Sequence, residues 1–299
     1  MGKSGDSMYT SLRTFPMRGR VCLVTGANRG LGKATSLGLA RMGATVVLLG
    51  RDARRLAVAD AEVRRGSGND DVSQVVVDLD SFVSVREAAG EIARRFDSIH
   101  VLVNNAGVNL ARRLVNPDGI ETTFAVNHLG PFLLTNLLLP HLRRGAPSRV
   151  VNVTSWFERF GHIDFDDLRG TRRPYRALRA YYQSKLANVL FTYELAERLA
   201  GSGVAANCVD PGLAATDLLR DRAWWRPAWL KPVWRAVLLS PERAAQAVIH
   251  VTSAPELSGV TGRCFGARGL EKRTSRRSHD VAARRQLWEK SAELSGLNH

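Results

Sequence analysis

Short apolar runs alternate with longer amphipathic segments along this chain from Arg20 to Phe265. The apolar runs are rich in β-branched residues and predict strands over 21–25, 45–49, 74–77, 100–103, 149–153, 204–209 and 263–265. Helical periodicity predicts helices over 30–41, 52–65, 84–96, 121–143, 181 to about 200, and 242–253. Continuously apolar strands that alternate with helices are typical of a parallel sheet covered on both faces. We therefore expect an α/β fold, a Rossmann-type doubly wound parallel sheet.

The alternation predicts a single domain over residues 18–299, after a flexible segment over residues 1–17. Two stretches interrupt it, at about 156–179 and 213–240, and both follow strands. Because ligands bind beyond the carboxyl ends of strands in such sheets, we expect both stretches to form walls of a substrate site.

The second stretch, 213–240, contains four tryptophans among basic residues. Three interpretations stay open for it: a lid over an apolar substrate, a membrane-interface surface, and ordinary packing. The tryptophans are Trp224, Trp225, Trp229 and Trp234.

Composition indicates a soluble globular protein, with 44% hydrophobic and 24% charged residues. The net charge is +15, but the arginines are scattered and no nucleic-acid recognition motif accompanies them. A solvated basic surface is the favoured interpretation, with attraction to anionic lipid or to an anionic cofactor as the alternative.

No apolar run approaches the roughly 20 residues of a membrane helix, and the N-terminus lacks a signal-peptide core. We expect a cytoplasmic protein, with peripheral membrane contact left open. The three cysteines and seven histidines show no metal-ligand spacing, so no metal is expected.

A glycine-rich loop joins the first predicted strand to the first predicted helix. It reads Gly26-Ala27-Asn28-Arg29-Gly30-Leu31-Gly32. Glycine permits a tight turn and close backbone approach, and a helix N-terminus attracts a diphosphate. In this strand–turn–helix context the loop predicts dinucleotide binding.

Two arginines indicate which dinucleotide is preferred. A site that prefers NAD usually carries an acid at the end of the second strand, where this chain has Gly50 followed by Arg51. Arg29 lies in the glycine-rich loop itself. Guanidinium groups suit the ribose 2′-phosphate, so we predict NADP(H) over NAD(H). Asp52 is interpreted as the cap of the next helix.

Polar and small residues also follow the third and fourth predicted strands. Asp78 and Leu79 are placed to contact an adenine ring, although Asp78 could equally cap the following helix. The run Asn104-Asn105-Ala106-Gly107 would let the chain pass close to a flat ligand, and its amides could bridge neighbouring strands. The alternative for this run is a plain turn.

Tyr181 and Lys185 are four residues apart at the start of a predicted helix, and they therefore share a face. A lysine in that position would favour the phenolate and bring the pKa of the tyrosine toward neutrality. Such a pair could serve as the general acid/base of a carbonyl–alcohol interconversion. Tyr182 lacks this spacing.

Together these motifs resemble those of the short-chain dehydrogenases/reductases, and the resemblance covers about residues 18–265. It rests on the glycine-rich loop, Asn104-Asn105-Ala106-Gly107, Asn127, Ser155, Tyr181-(x)3-Lys185 and Pro211-Gly212, in that order. Within the family, Val126-Asn127-His128-Leu129-Gly130 and Tyr182-Gln183-Ser184-Lys185-Leu186 are similar to the retinol dehydrogenase branch. Asp210 departs from that branch, which usually has histidine there, and adds a negative charge near the expected nicotinamide pocket.

The resemblance implies a role for each of these positions. Tyr181 would be the general acid/base, with Lys185 lowering its pKa and holding the nicotinamide ribose. Ser155 would hydrogen-bond the substrate oxygen, and Asn127 would anchor a water that links Lys185 to solvent. Pro211, Gly212 and Thr216 would meet the nicotinamide carboxamide.

The resemblance also implies an activity: an NADP(H)-dependent oxidoreductase that interconverts a lipophilic carbonyl, such as a retinoid or steroid, and its alcohol. It implies a homodimer formed through the helices that carry Asn127 and Tyr181. The rival hypothesis is a module of the same fold that binds NADP or a membrane surface without catalysis.

Overall fold

A parallel sheet organises the part of the chain that the computed structural model describes, residues 17–212 and 239–297. Within these residues the strands are β1 Val21–Thr25, β2 Thr45–Gly50, β3 Val72–Val76, β4 Val101–Asn104, β5 Ser148–Val153, β6 Val204–Val209 and β7 Cys264–Phe265. Their order across the sheet is β3-β2-β1-β4-β5-β6-β7, with every neighbouring pair parallel. The order reverses between β1 and β4, which is where ligands bind in doubly wound sheets.

Helices cover both faces of the sheet. The main helices in the described ranges are α1 Gly30–Arg41, α2 Ala53–Ser67, α3 Phe82–Arg95, α4 Gly130–Arg144, α5 Ala177–Arg198, α6 Pro241–Ser253 and α7 Val281–Ser295. α1 packs with α2 and α6 on one face, whereas α3, α4, α5 and α7 pack on the other. Along β1, Leu23 belongs to one apolar core and its neighbours Cys22 and Val24 belong to the other. This burial on both sides explains the continuously apolar strands and confirms the predicted fold class.

The helix predicted over 121–143 consists of three consecutive pieces. A short turn, Thr122–Phe124, is followed by a π-helical segment, Ala125–Leu129, and then by α4. The Glu121 carboxylate caps the first piece by accepting hydrogen bonds from the N–H groups of Thr123 and Phe124. π-Helical turns are frequent at functional sites, and this one carries Asn127.

Helix α5 begins at Ala177, one turn earlier than predicted, so Tyr181 lies inside the helix rather than at its start. The reason is local, because Leu178 and Ala180 are good helix formers and extend the helix back to the extended residue Arg176.

Helix α7 was not predicted from the sequence. Its Trp288 is buried against Phe132 of α4 and Phe191 of α5, with ring centroids 5.0 and 5.9 Å apart. The Arg198 guanidinium lies 4.4 Å from the centre of the Trp288 ring. The expected homodimer stays a prediction, and a second copy approaching α4 and α5 on this side would also meet α7.

All three cysteines are buried, and none forms a disulfide. Across residues 17–212 and 239–297, no helix has the length and apolar character needed to cross a membrane.

Candidate active site

A cleft of about 880 Å³ opens beyond the carboxyl ends of the strands. It brings together most of the predicted site residues: Gly26, Asn28, Arg29, Gly30, Leu31, Gly32, Arg51, Asp78, Leu79, Asn105, Ala106, Gly107, Ser155, Tyr181, Lys185, Pro211 and Gly212. Thr216 and the four tryptophans of the 213–240 stretch lie outside the described residues. Asn127 lies behind the cleft wall and acts on it through hydrogen bonds.

The glycine-rich loop is packed so closely that side chains would not fit. Gly26 has a φ of +65°, and an added Cβ would lie 3.0 Å from the Cα of Ala106. A Cβ on Gly32 would lie 2.3 Å from the Gly26 carbonyl oxygen. The first turn of α1 contains no acidic residue, and the side chain of its N-cap residue, Arg29, forms no capping hydrogen bond. The N-terminus of α1 therefore presents a positive dipole end to the cleft, and this cradle fits the diphosphate of a dinucleotide.

Basic residues gather at the end of the cleft that we predict to hold the adenosine. Arg29, Arg51 and Arg55 line it together with Asp52. The Asp52 carboxylate caps α2 by accepting a 3.0 Å hydrogen bond from the N–H of Arg55, and it lies 3.3 Å from the Arg55 Nε. The predicted capping role of Asp52 is confirmed. Its charge is thereby directed toward the helix and Arg55.

Asp78 lies in the cleft wall and does not cap helix α3. Its carboxylate accepts a 3.0 Å hydrogen bond from the N–H of Asp80, whereas Ser81 is the N-cap residue of α3. The capping alternative for Asp78 is therefore wrong. The structure adds Asp80 to the same wall, where Thr122 donates a 3.1 Å hydrogen bond to its carboxylate. Burial raises the pKa of Asp80 to about 6, so this carboxyl group titrates just below neutrality.

The loop after β4 is fastened to β1 by Thr25. The Thr25 hydroxyl accepts hydrogen bonds from the N–H groups of Asn105 and Ala106, at 2.9 and 3.0 Å. The Asn105 amide donates a 2.8 Å hydrogen bond to the Thr25 carbonyl oxygen. Asn104 bridges to the next strand through a 2.8 Å hydrogen bond to Asn152, as expected for an amide in this run. Sequence reasoning missed Thr25, although its position at the end of β1 beside the glycine-rich loop was a usable signal.

Asn127 clamps the same loop from the opposite side. Its side-chain oxygen accepts a hydrogen bond from the Val108 N–H at 2.7 Å, and its Nδ2 donates to the Val108 carbonyl oxygen at 2.9 Å. The same Nδ2 donates to Ser184 in α5, also at 2.9 Å. A Cβ on Gly107 would lie 3.4 Å from the Asn127 oxygen and 3.6 Å from the Lys185 ammonium. Asn127 therefore holds the loop backbone directly beside Lys185.

Ser155, Tyr181 and Lys185 meet at the inner end of the cleft. The Lys185 ammonium donates a 3.1 Å hydrogen bond to the Val153 carbonyl oxygen and lies 5.6 Å from the centre of the Tyr181 ring. Burial lowers the pKa of Lys185 from 10.5 to about 8, and the nearby Asp210 carboxylate partly offsets this effect. Lys185 is therefore a cation that is close to losing its proton at mildly alkaline pH.

The pKa of Tyr181 moves in the direction opposite to the expected one. Burial raises it above the ordinary value of 10, the hydrogen bond with Ser155 lowers it, and Asp210 raises it further. The expected lowering by Lys185 fails because the phenol is only 7% exposed, and desolvation of the phenolate outweighs nearby charge. Tyr181 is therefore a neutral phenol at pH 7, in the form that can donate a proton.

An aromatic cluster adjoins Tyr181 at the mouth of the cleft. Phe157 stacks on Tyr182 with centroids 5.3 Å apart and contacts Tyr181 edge-on at 6.5 Å. Trp156 and Phe160 continue the cluster outward and are 47% and 54% exposed. Further apolar side chains line the cleft beside it: Val108, Leu110, Leu114 and Leu178. Part of this wall belongs to the stretch 156–179 that the sequence predicted as a substrate wall.

These features define a dinucleotide-binding α/β domain in which a hydroxyl, a phenol and an ammonium group converge beside an apolar wall. Such an arrangement can bind a nicotinamide cofactor and hydrogen-bond the oxygen of a carbonyl compound. In the described part of the chain, no group of three or more His, Cys, Asp or Glu side chains is arranged to hold a metal ion.

The chain belongs to the short-chain dehydrogenase family, whose model matches residues 20–226. It is 43% identical to human retinol dehydrogenase 13 (Homo sapiens) over 96% of this chain and 87% of that protein. It is 41% identical to dehydrogenase/reductase SDR family member 13 of Bos taurus, over 94% of this chain and 74% of that protein. We expected the latter likeness from Ala146 to Val151 and the tryptophan-rich stretch. The chain is thus a retinol dehydrogenase-like oxidoreductase of the alcohol dehydrogenase and carbonyl reductase type.

Solved structures agree with this assignment. A crystal structure of an uncharacterised protein from Mycobacterium Paratuberculosis superimposes with a TM-score of 0.78 at 33% identity, covering 95% of this chain and 97% of that one. The Pseudomonas aeruginosa RhlG/NADP active-site complex has a TM-score of 0.69 at 27% identity, covering 85% of this chain and 96% of that one. The family and its solved NADP complex support a nicotinamide cofactor.

Proposed function

We propose that this protein is an NADP(H)-dependent oxidoreductase that interconverts a lipophilic carbonyl compound and its alcohol, with Tyr181 as the general acid/base. One observation carries the proposal. Ser155 and the buried Tyr181 and Lys185 share a single cleft with an aromatic wall at its mouth and arginines at its far end. Relatives named retinol dehydrogenases support a retinoid or a similar apolar aldehyde or ketone as the substrate class.

The roles of the residues follow from their protonation states. A bound nicotinamide supplies or accepts the hydride. Ser155 and Tyr181 donate hydrogen bonds to the carbonyl oxygen, and Tyr181 transfers its proton as negative charge grows there. The Lys185 ammonium stabilises the phenolate that remains, and Asn127 keeps the adjoining loop in place. We also propose that Asn127 holds a water through which Lys185 exchanges protons with solvent.

The aromatic wall supports an apolar substrate. Phe157 and Leu178 flank Tyr181 in the cleft, and the exposed Trp156 and Phe160 extend this surface outward. An apolar molecule bound there removes these side chains from water, at about 25 cal/mol per Å² of apolar area. Entry of the substrate from a membrane surface is compatible with this placement, and we propose it as a peripheral contact.

Replacing Tyr181 by phenylalanine tests the catalytic role. We expect NADPH-dependent reduction across a panel of apolar aldehydes and ketones to fall about 100-fold or more. NADPH binding, followed by nucleotide fluorescence, should persist. Tyr182→Phe is the matched control, because it removes a phenol oxygen one residue away in the same aromatic cluster. Full turnover by Tyr181→Phe, or equal losses in both variants, would contradict the assignment.

The NADP(H) preference is tested at Arg51. The Arg51 guanidinium lines the adenosine end of the cleft, whereas Arg54, three residues later and equally exposed, does not. We expect Arg51→Ala to raise the KM for NADPH about tenfold through the loss of one charged hydrogen bond, with little change for NADH. Arg54→Ala should change neither value. If Arg51→Ala raised the KM for NADPH and for NADH equally, Arg51 would not recognise the 2′-phosphate.

A further inference from the structure

Asp210 follows β6 directly and is buried, with 5% of its surface exposed. Its backbone N–H donates a 2.8 Å hydrogen bond to the Phe265 carbonyl oxygen in β7. One carboxylate oxygen accepts a 3.1 Å hydrogen bond from the Gly212 N–H. The side chain thus folds the Pro211–Gly212 turn back onto the end of the strand. Since Pro211 and Gly212 line the cleft, the carboxylate shapes one of its walls from behind.

Lys272 supplies the opposite charge. Its ammonium lies 2.5 Å from the second carboxylate oxygen of Asp210, and both side chains are largely removed from water. The position of Lys272 is fixed by its backbone, because its N–H donates a 2.8 Å hydrogen bond to the Cys264 carbonyl oxygen. The adjacent Glu271 forms an antiparallel bridge with Phe265. The pair therefore joins the end of β6 to the segment that bridges β7, although the two residues lie far apart in the sequence.

The charge of Asp210 reaches the proposed proton-transfer residues. It raises the pKa of both Tyr181 and Lys185, which face it from α5. Another buried carboxylate in this region, Glu158, accepts hydrogen bonds from the backbone and hydroxyl of Ser275. Among the described residues, Cys208 also lies near Lys272 and is in contact with Cys264; Tyr193 interacts with Cys208, and Tyr182 interacts with Tyr181. Lys272 is the cation bonded to Asp210, so its charge offsets the effect of the carboxylate on the cleft.

We propose that Asp210 and Lys272 form a positioning pair, which holds the Pro211–Gly212 turn in the cleft wall and sets how tightly Tyr181 and Lys185 bind their protons. The inference deepens the proposed function and rests on the catalytic roles assigned there. It implies that the two charges act in opposite directions. Removing the carboxylate loosens the protons on Tyr181 and Lys185, whereas removing the ammonium leaves the carboxylate unbalanced and tightens them.

The test compares Asp210→Asn with Lys272→Gln. Two readouts are taken for each variant: the pH dependence of kcat/KM for alcohol oxidation, and the titration of Lys185 by NMR with isotope-labelled lysine in enzyme without nucleotide. The Lys185 signal is assigned from its loss in Lys185→Met. We expect Asp210→Asn to move both midpoints to lower pH, and Lys272→Gln to move them to higher pH, each by about one pH unit. Midpoints that stay in place, or that move in the same direction in both variants, would overturn the proposal.

Glu271→Gln is the matched control. Like Asp210→Asn, it converts a carboxylate to an amide. Glu271 is adjacent to Lys272 and forms an ion pair with Arg263, but both side chains of that pair are more than half exposed. Its midpoints should remain at the wild-type values, and a shift equal to that of Asp210→Asn would overturn the proposal. If Lys272→Gln fails to fold, Asp210→Asn/Lys272→Gln replaces it, and its midpoints should lie above those of Asp210→Asn. Midpoints equal to those of Asp210→Asn would contradict the role of Lys272.

The two proposals fail in different ways. If Tyr181→Phe retains full turnover, the proposed function is wrong, yet the Lys185 titration still reports whether the pair acts on that lysine. If Tyr181→Phe is inactive and the Asp210 and Lys272 variants leave the midpoints unmoved, the proposed function stands and the positioning role is refuted.

Discussion

Replacing Lys185 by methionine should stabilise the protein while abolishing most of its activity. Lys185 is buried, with 4% of its surface exposed, and its ammonium donates a hydrogen bond to the Val153 carbonyl oxygen. Burial lowers its pKa from 10.5 to about 8. A lowered pKa means that the folded state disfavours the charged form of the lysine. Lys185 therefore carries its charge at neutral pH at a cost in stability.

The magnitude follows from the pKa. One pH unit corresponds to about 1.4 kcal/mol, so the difference between 10.5 and about 8 corresponds to roughly 3 kcal/mol. Methionine has a similar length without the charge, but it gives up the hydrogen bond to Val153, worth about 1 kcal/mol. We expect Lys185→Met to be more stable by roughly 2 kcal/mol at pH 7, which for a chain of 299 residues raises the Tm by about 3 °C.

The pH dependence of unfolding identifies the source of this gain. Below pH 8, Lys185 is protonated in both the folded and the unfolded chain, and the full cost is present. Between about 8 and 10.5, the unfolded chain binds the proton and the folded chain does not, so the wild-type protein gains stability as the pH rises. The advantage of Lys185→Met should therefore shrink across that window.

Urea unfolding of both proteins, from neutral pH to about 11, measures this difference. Lys290→Met is the control, because the Lys290 ammonium is 44% exposed and its replacement should produce no such window. A stability difference that stays constant with pH would refute the reasoning, as would a destabilised Lys185→Met. The same variant should lose about 100-fold or more in turnover.

Two further substitutions test the cofactor cradle and the C-terminal helix. Gly32→Ala places a Cβ 2.3 Å from the Gly26 carbonyl oxygen, so the variant should lose NADPH binding, which fluorescence titration measures. The control Gly90→Ala adds a Cβ with an ordinary 3.5 Å contact and should bind NADPH normally. Trp288→Ala removes a side chain that is 7% exposed and packed between α4 and α5, so it should lower the free energy of unfolding by about 3 to 5 kcal/mol. The control Trp156→Ala removes a side chain that is 47% exposed and should lower the free energy of unfolding far less. Normal NADPH binding by Gly32→Ala, or equal costs for the two tryptophans, would contradict these accounts.

The sheet was predictable because its strands are buried on both faces. Continuous apolar runs such as Val204–Val209 then differ sharply from the amphipathic helices between them. The location of the site was predictable for a related reason. Residues that directly follow parallel strands, such as Asn105 and Pro211, must meet at one edge of the sheet.

Helix α7 was missed because its apolar residues are not gathered on one side of the helix, so the helical periodicity is weak. Leu287 and Trp288 supply most of its buried surface, and the face that they fit exists only once α4 and α5 have packed together. The Asp210–Lys272 pair was missed for a similar reason, since 62 residues separate its members and no local pattern connects them. Contacts of this kind depend on the folded chain and leave no periodic signal in the sequence.

The direction of the Tyr181 pKa depends on burial, which the spacing of Tyr181 and Lys185 does not reveal. Spacing alone suggested that a nearby ammonium would favour the phenolate. In the fold both groups are desolvated, and desolvation favours the neutral form of each, so a proton is held more tightly by Tyr181 and less tightly by Lys185. Their proton affinities are thus reversed from the ordinary order, in which lysine is the weaker acid: in the fold, Tyr181 holds its proton more tightly than Lys185 does.

The reversed order of these two pKa values bears on the direction of the proposed catalysis. At pH 7 the structure holds Tyr181 as a neutral phenol beside a Lys185 that is still charged, and both forms suit delivery of a proton to a carbonyl oxygen. Oxidation of an alcohol needs the phenolate instead, which burial and Asp210 both disfavour. Above pH 8, Lys185 begins to lose the charge that would stabilise the phenolate left after reduction. Desolvation therefore keeps Tyr181 protonated but makes it a weaker acid, so the proposed proton transfer from Tyr181 depends on the neighbouring charge of Lys185 to stabilise the phenolate.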